Sequence, residues 1–335
     1  MIYGRQKQDS NSEAAATTIL EIDEKVFGPD SVKTGNDARR LGLRYEEGGR
    51  HGAAYPLLLR SLEITQKADE KDRSVSSVHR DAATAFDVIV GALFIETGQG
   101  PVLDPHWGHQ TAIFFQSGEL ARVAAASGKY PEAERLYKQV ISMDEYKKYN
   151  ITGHAKDWVD LSSVYRHEHR YNDALDAIGS YKKVIDEMAA KVKFADQREE
   201  TLLHWYSQNE LAEIYREKGD LAAARPLFEQ AMATMKTLSL GEVHLRGAEL
   251  QSYYAAFLAD EGMLEEAESA YQRALNTWAR RHSLNPDLMD PGHAEALANY
   301  AALLRKLNRP AEAEPLEAQA AAIREWTTGS SPPID

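Results

Sequence analysis

The stretch QNELAEIYREKGDLAAARPLFEQA, Gln208–Ala231, reads as two helical patterns either side of a break at Gly219. Before the break, Leu211, Ala212 and Tyr215 form a narrow apolar stripe at helical spacing. After it, Ala224, Phe228 and Ala231 fall at i, i+4 and i+7 on one face of a second helix. Gly219 supplies the residue that can turn left-handed where the first helix ends. Asp220 offers a side-chain oxygen to the free amides that open the second. The alanines let the two backbones approach, and Leu211, Tyr215 and Phe228 fill the space around them. Helices this short are marginal alone in water, so a hairpin of this kind must stack on copies of itself.

The seven positions Leu211, Ala212, Tyr215, Gly219, Ala224, Phe228 and Ala231 resemble the tetratricopeptide repeat, whose unit has Leu, a small residue, Tyr, Gly, Ala, an aromatic and Ala in that order. The family's early Trp is absent, with Gln208 in its place. Further copies are legible. Leu41, Gly42, Tyr45, Gly48-Gly49, Ala54 and Leu58 form one, with Ser61 for alanine; Leu120, Ala121, Gly128, Ala133, Tyr137 and Val140 form another. Trp158, Leu161, Tyr165 and Ala174 open a third, whose second helix departs from the pattern over 176–184, with Tyr181 and Val184 three places late. Tyr254, Ala255, Leu258, Gly262, Ala267, Tyr271 and Ala274 make a regular copy. The last has Tyr300, Ala301, Leu304, Ala313 and Ala320, with Asn308 for the glycine and Glu317 for the aromatic, a polar exchange suited to a solvent-facing cap.

The alanines that open the second helices, 133, 174, 224, 267 and 313, are 41, 50, 43 and 46 residues apart. These steps exceed the roughly 34 of the plain repeat, and with AEAEPLEAQAAAIRE near the end they are similar to the kinesin-light-chain type and to long bacterial repeats. Pro56, Pro226 and Pro315 lie two residues after such an alanine, a position expected to be the first turn, where a missing amide costs little. The resemblance implies an all-α fold: a right-handed α-solenoid of about six hairpins over residues 35–326. Residues 1–34 are expected to form an extra N-terminal helix from Ser12 to Phe27 with its lead-in, and 327–335 a flexible tail. Val75–Thr97 reads as a long helix, and the steps from Gly49 to Gly98 and Gly128 imply a degenerate unit or bend near 98–107.

Composition narrows the function. Among 335 residues, 39 Lys+Arg face 52 Asp+Glu, a formal net charge of −13. That disfavours nucleic-acid binding, which needs clustered cations, and docking on anionic membranes. With no cysteine, disulfides and thiolate chemistry are excluded. No apolar run reaches the ~18 residues of a membrane span, and the start MIYGRQKQDSNSE has no secretory core, which leaves the cytoplasm as the default compartment. No phosphate loop, nucleophile elbow or HExxH is present, so neither an enzyme nor a cofactor is expected. Asp104, His106 and His109 in DPHWGH could hold a metal. The alternative is that Asp104 caps a helix with the histidines in its first turn, as Asp290 and His293 would in DPGH; it is preferred because no fourth ligand is evident. His167 and His169, beside Arg166 and Arg170, form either a pH- or anion-responsive spot or a solvated turn.

The family resemblance implies that the first helix of each unit lines a concave groove holding a peptide or a partner helix. Projected on this sequence, the groove residues are Arg122, Lys156, Arg166, Tyr206, Asn209, Glu213, Arg216, Asn299, Ala302 and Arg305. Asn209 and Asn299 resemble groove asparagines that grip peptide backbone, since an amide both donates and accepts. The arginines suggest an acidic or mixed-charge ligand. The carboxylate-clamp set of chaperone-binding members is not reproduced. The expected function is a non-catalytic scaffold for a peptide or protein partner. The alternatives are a subunit that self-assembles through exposed solenoid ends or through Val75–Phe94, and a peptide-sensing regulator.

Overall fold

The computed structural model describes residues 2–75, 109–143, 151–191, 197–238, 245–284 and 289–329. Thirteen helices account for nearly all of them, and no strand occurs among the described residues. In chain order they are α1 (Ile2–Phe27), α2 (Val32–Glu47), α3 (His51–Val75), α4 (His109–Ala126), α5 (Tyr130–Ser142), α6 (Ile151–His167) and α7 (Tyr171–Lys191). They continue with α8 (Gln197–Glu217), α9 (Leu221–Thr237), α10 (Leu245–Asp260), α11 (Leu264–Leu284), α12 (Pro291–Lys306) and α13 (Pro310–Thr328). From α2 onward they pack as six consecutive hairpins, each second helix also meeting the first helix of the next. The result is an α-solenoid, with α1 lying on α2.

One local device ends every first helix. Gly49, Gly128, His169, Gly219, Gly262 and Asn308 all have φ between 58° and 84°. At each, the amide of the next residue bonds back to a carbonyl five residues before it, as Asp220 does to Tyr215 at 2.9 Å and Arg170 to Tyr165 at 2.9 Å. Four glycines take this left-handed turn without a Cβ clash; Asn308 is a tolerated substitute, and His169 is strained. Asp220 caps α9 through the Ala223 amide, 3.1 Å away, as the sequence requires. Inside the hairpin, Ala212, Ala224, Phe228 and Ala231 are fully buried. The missing Trp at 208 is replaced from one turn earlier: Trp205 is fully buried and its Nε1 donates to the Ala231 carbonyl at 2.9 Å.

Several expectations change. α1 begins at Ile2, ten residues before the expected start at Ser12. Pro56, Pro226 and Pro315 lie inside α3, α9 and α13, each at the sixth position. There the ring removes an amide that the helix would use, so the first-turn argument fails for them. It holds instead for Pro131, Pro291 and Pro310, which open α5, α12 and α13. The irregular stretch 176–184 does not interrupt α7, because Ile178, Tyr181 and Ile185 are buried together and Tyr181 Oη donates to the Leu203 carbonyl at 2.5 Å. Residues 98–107 and most of Val75–Thr97 lie outside the described residues; on either side of them, α3 packs directly against α4.

The two ends of the array touch. A Cβ on Gly49 would stand 2.0 Å from the Met289 carbonyl oxygen, and one on Gly52 would stand 2.2 Å from that of Thr328. Trp326 Nε1 donates to the Gly48 carbonyl at 3.1 Å. The first hairpin's turn therefore seats on the far end of α13 and the segment leading into α12. The last unit is not a free cap: α13 exposes Glu312 and Glu314 along its side but docks by its end.

Candidate ligand cleft on the inner face

The first helices α4, α6, α8, α10 and α12 each contact the next along one side of the solenoid, while α2 is tied to α4 by Arg39–Glu119 and Arg122–Glu46. Close winding brings these helices near enough for their long side chains to pair. Arg166 of α6 is 1% exposed; it donates to Glu210 at 2.9 Å and Glu217 at 2.7 Å on α8, and reaches the Tyr253 hydroxyl on α10 at 3.4 Å. Arg216 of α8 holds Glu213 at 2.7 Å and Asp260 of α10 at 2.7 Å. Arg246 of α10 bridges Asp160 of α6 and Glu249, both at 3.2 Å. Neighbouring carboxylates hold all three guanidinium groups firmly protonated. Burial pushes the Glu210 carboxyl above its ordinary range, and Arg166 opposes the shift.

This network changes the reading of the predicted groove. Arg166 is a buried strut, not a cation offered to a ligand. Asn209 and Glu213 are 5% and 0% exposed, so neither presents a polar edge to solvent. The Asn209 Oδ1 has no hydrogen-bond partner among the described residues. Arg122 pairs with Glu46 at 3.3 Å and Arg305 with Glu317 at 2.6 Å, both on exposed ground. Lys156 and Ala302 are exposed, while Tyr206 is half-buried. Of the projected set, Arg216 and Asn299 come together.

They line a cleft of about 460 Å³ with His167, His169, Tyr171, Glu217, Asp260 and Glu295. Its walls come from four successive hairpins, at the ends of α6, α8 and α10 and along α12. His167 stacks on Tyr130 with ring centroids 5.4 Å apart and 7° between planes. Desolvation and the nearby Arg166 lower its pKa, so the ring is neutral at pH 7. His169 is in the strained turn, its Nδ1 2.9 Å from the Tyr171 hydroxyl. Glu295, one helical turn before Asn299, has no ion pair or hydrogen bond among the described residues. Burial raises its pKa to about 7; the Arg166 charge opposes the shift, and Glu213, Glu217 and Glu249 reinforce it. Glu295, Asp260 and Tyr171 were not singled out from sequence. The i, i+4 spacing of Glu295 and Asn299 on α12 is the one signal that pointed to the first of them.

The metal candidates Asp104 and His106 lie outside the described residues, and of His109 only its place at the start of α4 is described. The related DPGH motif is structural: Asp290 accepts from the Gly292 amide at 2.9 Å, and His293 stacks on Trp278 at 5.4 Å. No helix among the described residues is long and apolar enough to cross a membrane.

Models of the tetratricopeptide repeat match residues 118–147, 202–278 and 293–333. Among solved structures, the chain is similar to BtubC (BKLC) from P. vanneervenii, with 18% identity, 83% of this chain and 95% of that chain covered, and a TM-score of 0.47. A putative kinesin light chain of Podosopora anserina with nearly identical TPR-like repeats shares 20% identity over 65% of this chain and 97% of that one, TM-score 0.39. The apo form of the quorum sensor NprR from B. thuringiensis shares 12% identity over 96% and 85%, TM-score 0.48. No curated protein matches the sequence. The three repeat matches fall on α4/α5, on α8 to α11 and on α12/α13, where the hairpins carry the glycine or asparagine turn and the buried alanines of the pattern, and over these segments the chain carries tetratricopeptide repeats.

Proposed function

We propose that this chain is a protein-interaction scaffold that holds a peptide segment of a partner in the cleft on its inner face. The observation that supports this most directly is the cleft's construction: four hairpins contribute to one polar recess of about 460 Å³. A recess of that size takes a side chain or two with the backbone between them. Asn299 can satisfy a peptide main chain, donating and accepting with one amide. Nothing in the reading calls for chemistry on the ligand.

Selection of a random peptide library against the chain tests it. Peptides recovered on the native protein should lose affinity about tenfold on Asn299→Ala or Tyr171→Ala. Failure to recover any peptide, or binding indifferent to both substitutions, rejects the reading.

A second reading, self-association, is favoured by α1. Ala15, Ile19, Ile22 and Val26 run along one exposed side at 4-3-4 spacing, with Phe27 also exposed. An end helix is normally polar on its outer face. Light scattering across concentrations decides it, and a strict monomer excludes it. The other interface proposed from sequence, Val75–Phe94, lies almost wholly outside the described residues.

A further inference from the structure

We infer that the cleft recognises a cationic group, the ammonium or guanidinium of a basic residue or a free peptide amine, and that Glu295 is its counter-charge. This rests on the peptide-scaffold reading and deepens it, because it reverses the ligand charge that the sequence suggested. The arginines expected to attract an acidic ligand are already committed. Arg166, Arg216 and Arg246 pair with six carboxylates, Glu210, Glu217, Glu213, Asp260, Asp160 and Glu249. Six carboxylates thus share three guanidinium groups around the cleft, a local negative excess. A seventh, Glu295, lines the cleft without a hydrogen bond or ion pair among the described residues.

Partly desolvated charge of one sign is unfavourable unless an opposite charge approaches it. The protein has already neutralised part of the field internally, and what remains is directed into the open recess. An anionic ligand would meet Glu217, Asp260 and Glu295, with no uncommitted cation to receive it. A cationic ligand would complete the pairing. Tyr171 offers a ring and hydroxyl beside the carboxylates, and Asn299 a carbonyl oxygen four residues from Glu295, so an ammonium could find more than one acceptor. The raised proton affinity of Glu295 is the same deficit expressed through a proton.

The test uses the full chain with two fluorescent probes of one length, N-acetylated penta-arginine amide and penta-glutamate amide, read by anisotropy at pH 8 and low salt. Penta-arginine should bind the native protein and lose at least tenfold in affinity on Glu295→Gln, while Glu314→Gln on the exposed side of α13 leaves it unchanged. Penta-glutamate should not bind. Equal loss in both variants would mean general attraction to an acidic protein and would overturn the inference, as would preference for penta-glutamate. If library selection yields Asn299-dependent peptides free of Lys and Arg, the cation site fails and the scaffold stands. If no peptide of any charge binds, both fail.

Discussion

The α8/α9 hairpin and the junction between α13 and the first hairpin are held by opposite kinds of contact. In α8/α9 the fit is local: side chains within one hairpin interlock, the turn is closed by its own amides, and the Trp205–Ala231 bond spans 26 residues. At the junction, residues almost the whole chain length apart meet through backbone, with Gly49 and Gly52 admitting the carbonyls of Met289 and Thr328. Stability in a repeat array is roughly a sum of unit and nearest-neighbour terms. The junction adds a contact outside that sum, and whether it forms depends on the accumulated rotation of six hairpins.

Four changes break or sharpen this contrast. Phe228→Ala empties the centre of the regular hairpin, where the ring is fully buried, and should cost about 3–5 kcal/mol in urea denaturation. A loss under about 1 kcal/mol would mean the hairpin is not the anchor of its half. Gly52→Val places a Cβ where the Thr328 carbonyl stands and should cost about 1–3 kcal/mol. Its signature is local: faster amide exchange in α13 and a larger radius of gyration by small-angle scattering, with α8/α9 protection kept. Unaltered exchange in α13 would show that the two ends do not dock in solution.

The third change concerns pH. Glu295 carries a pKa raised to about 7 from 4.5 by burial, so the folded protein binds its proton more tightly than the unfolded chain does. Stability through this group therefore falls as pH rises from about 4.5 to about 7. Glu295→Gln should gain on the order of 1 kcal/mol at pH 8 and little at pH 5. His51 and His293, both lowered to about 4, act oppositely: their neutral forms are partly shielded from water, and stability falls as pH drops below about 6.5. That acid limb should be the same in both proteins; a variant curve parallel to the native one throughout would show that Glu295 does not titrate in the folded state. The smallest effect is at the strained turn. His169→Gly relieves a left-handed residue and should raise the melting temperature, for a gain of up to about 1 kcal/mol. Destabilisation would mean that the His169–Tyr171 contact outweighs the strain.

The sequence carried the hairpins well where their causes are local. Gly219, Asp220, Ala224 and Phe228 do what their spacing requires. The turn at His169 was legible, but its left-handed residue was not, because no glycine or asparagine stands at 169. The groove residues were legible as a list of helix faces, but which of their charges are already paired was not. Arg166 and Arg216 were seen as cations on one side of a helix, but Glu210, Asp260 and Tyr253, which pair with them, stand on the first helices of later hairpins, 44 to 87 residues away in sequence. Glu295 stands out only in three dimensions, where it lines the cleft without an ion pair or hydrogen bond among the described residues.

By itself, then, the sequence determined the unit: helix, left-handed turn, helix, and a buried face that forces stacking, since each of these follows from residues within one hairpin. Only the tertiary structure decided how tightly the units wind. That winding brings α6, α8, α10 and α12 within side-chain reach of one another and the last hairpin onto the first. It determines which charges cancel, because Coulomb interaction depends on separation in space and on exclusion of water, and neither is set by spacing along the chain.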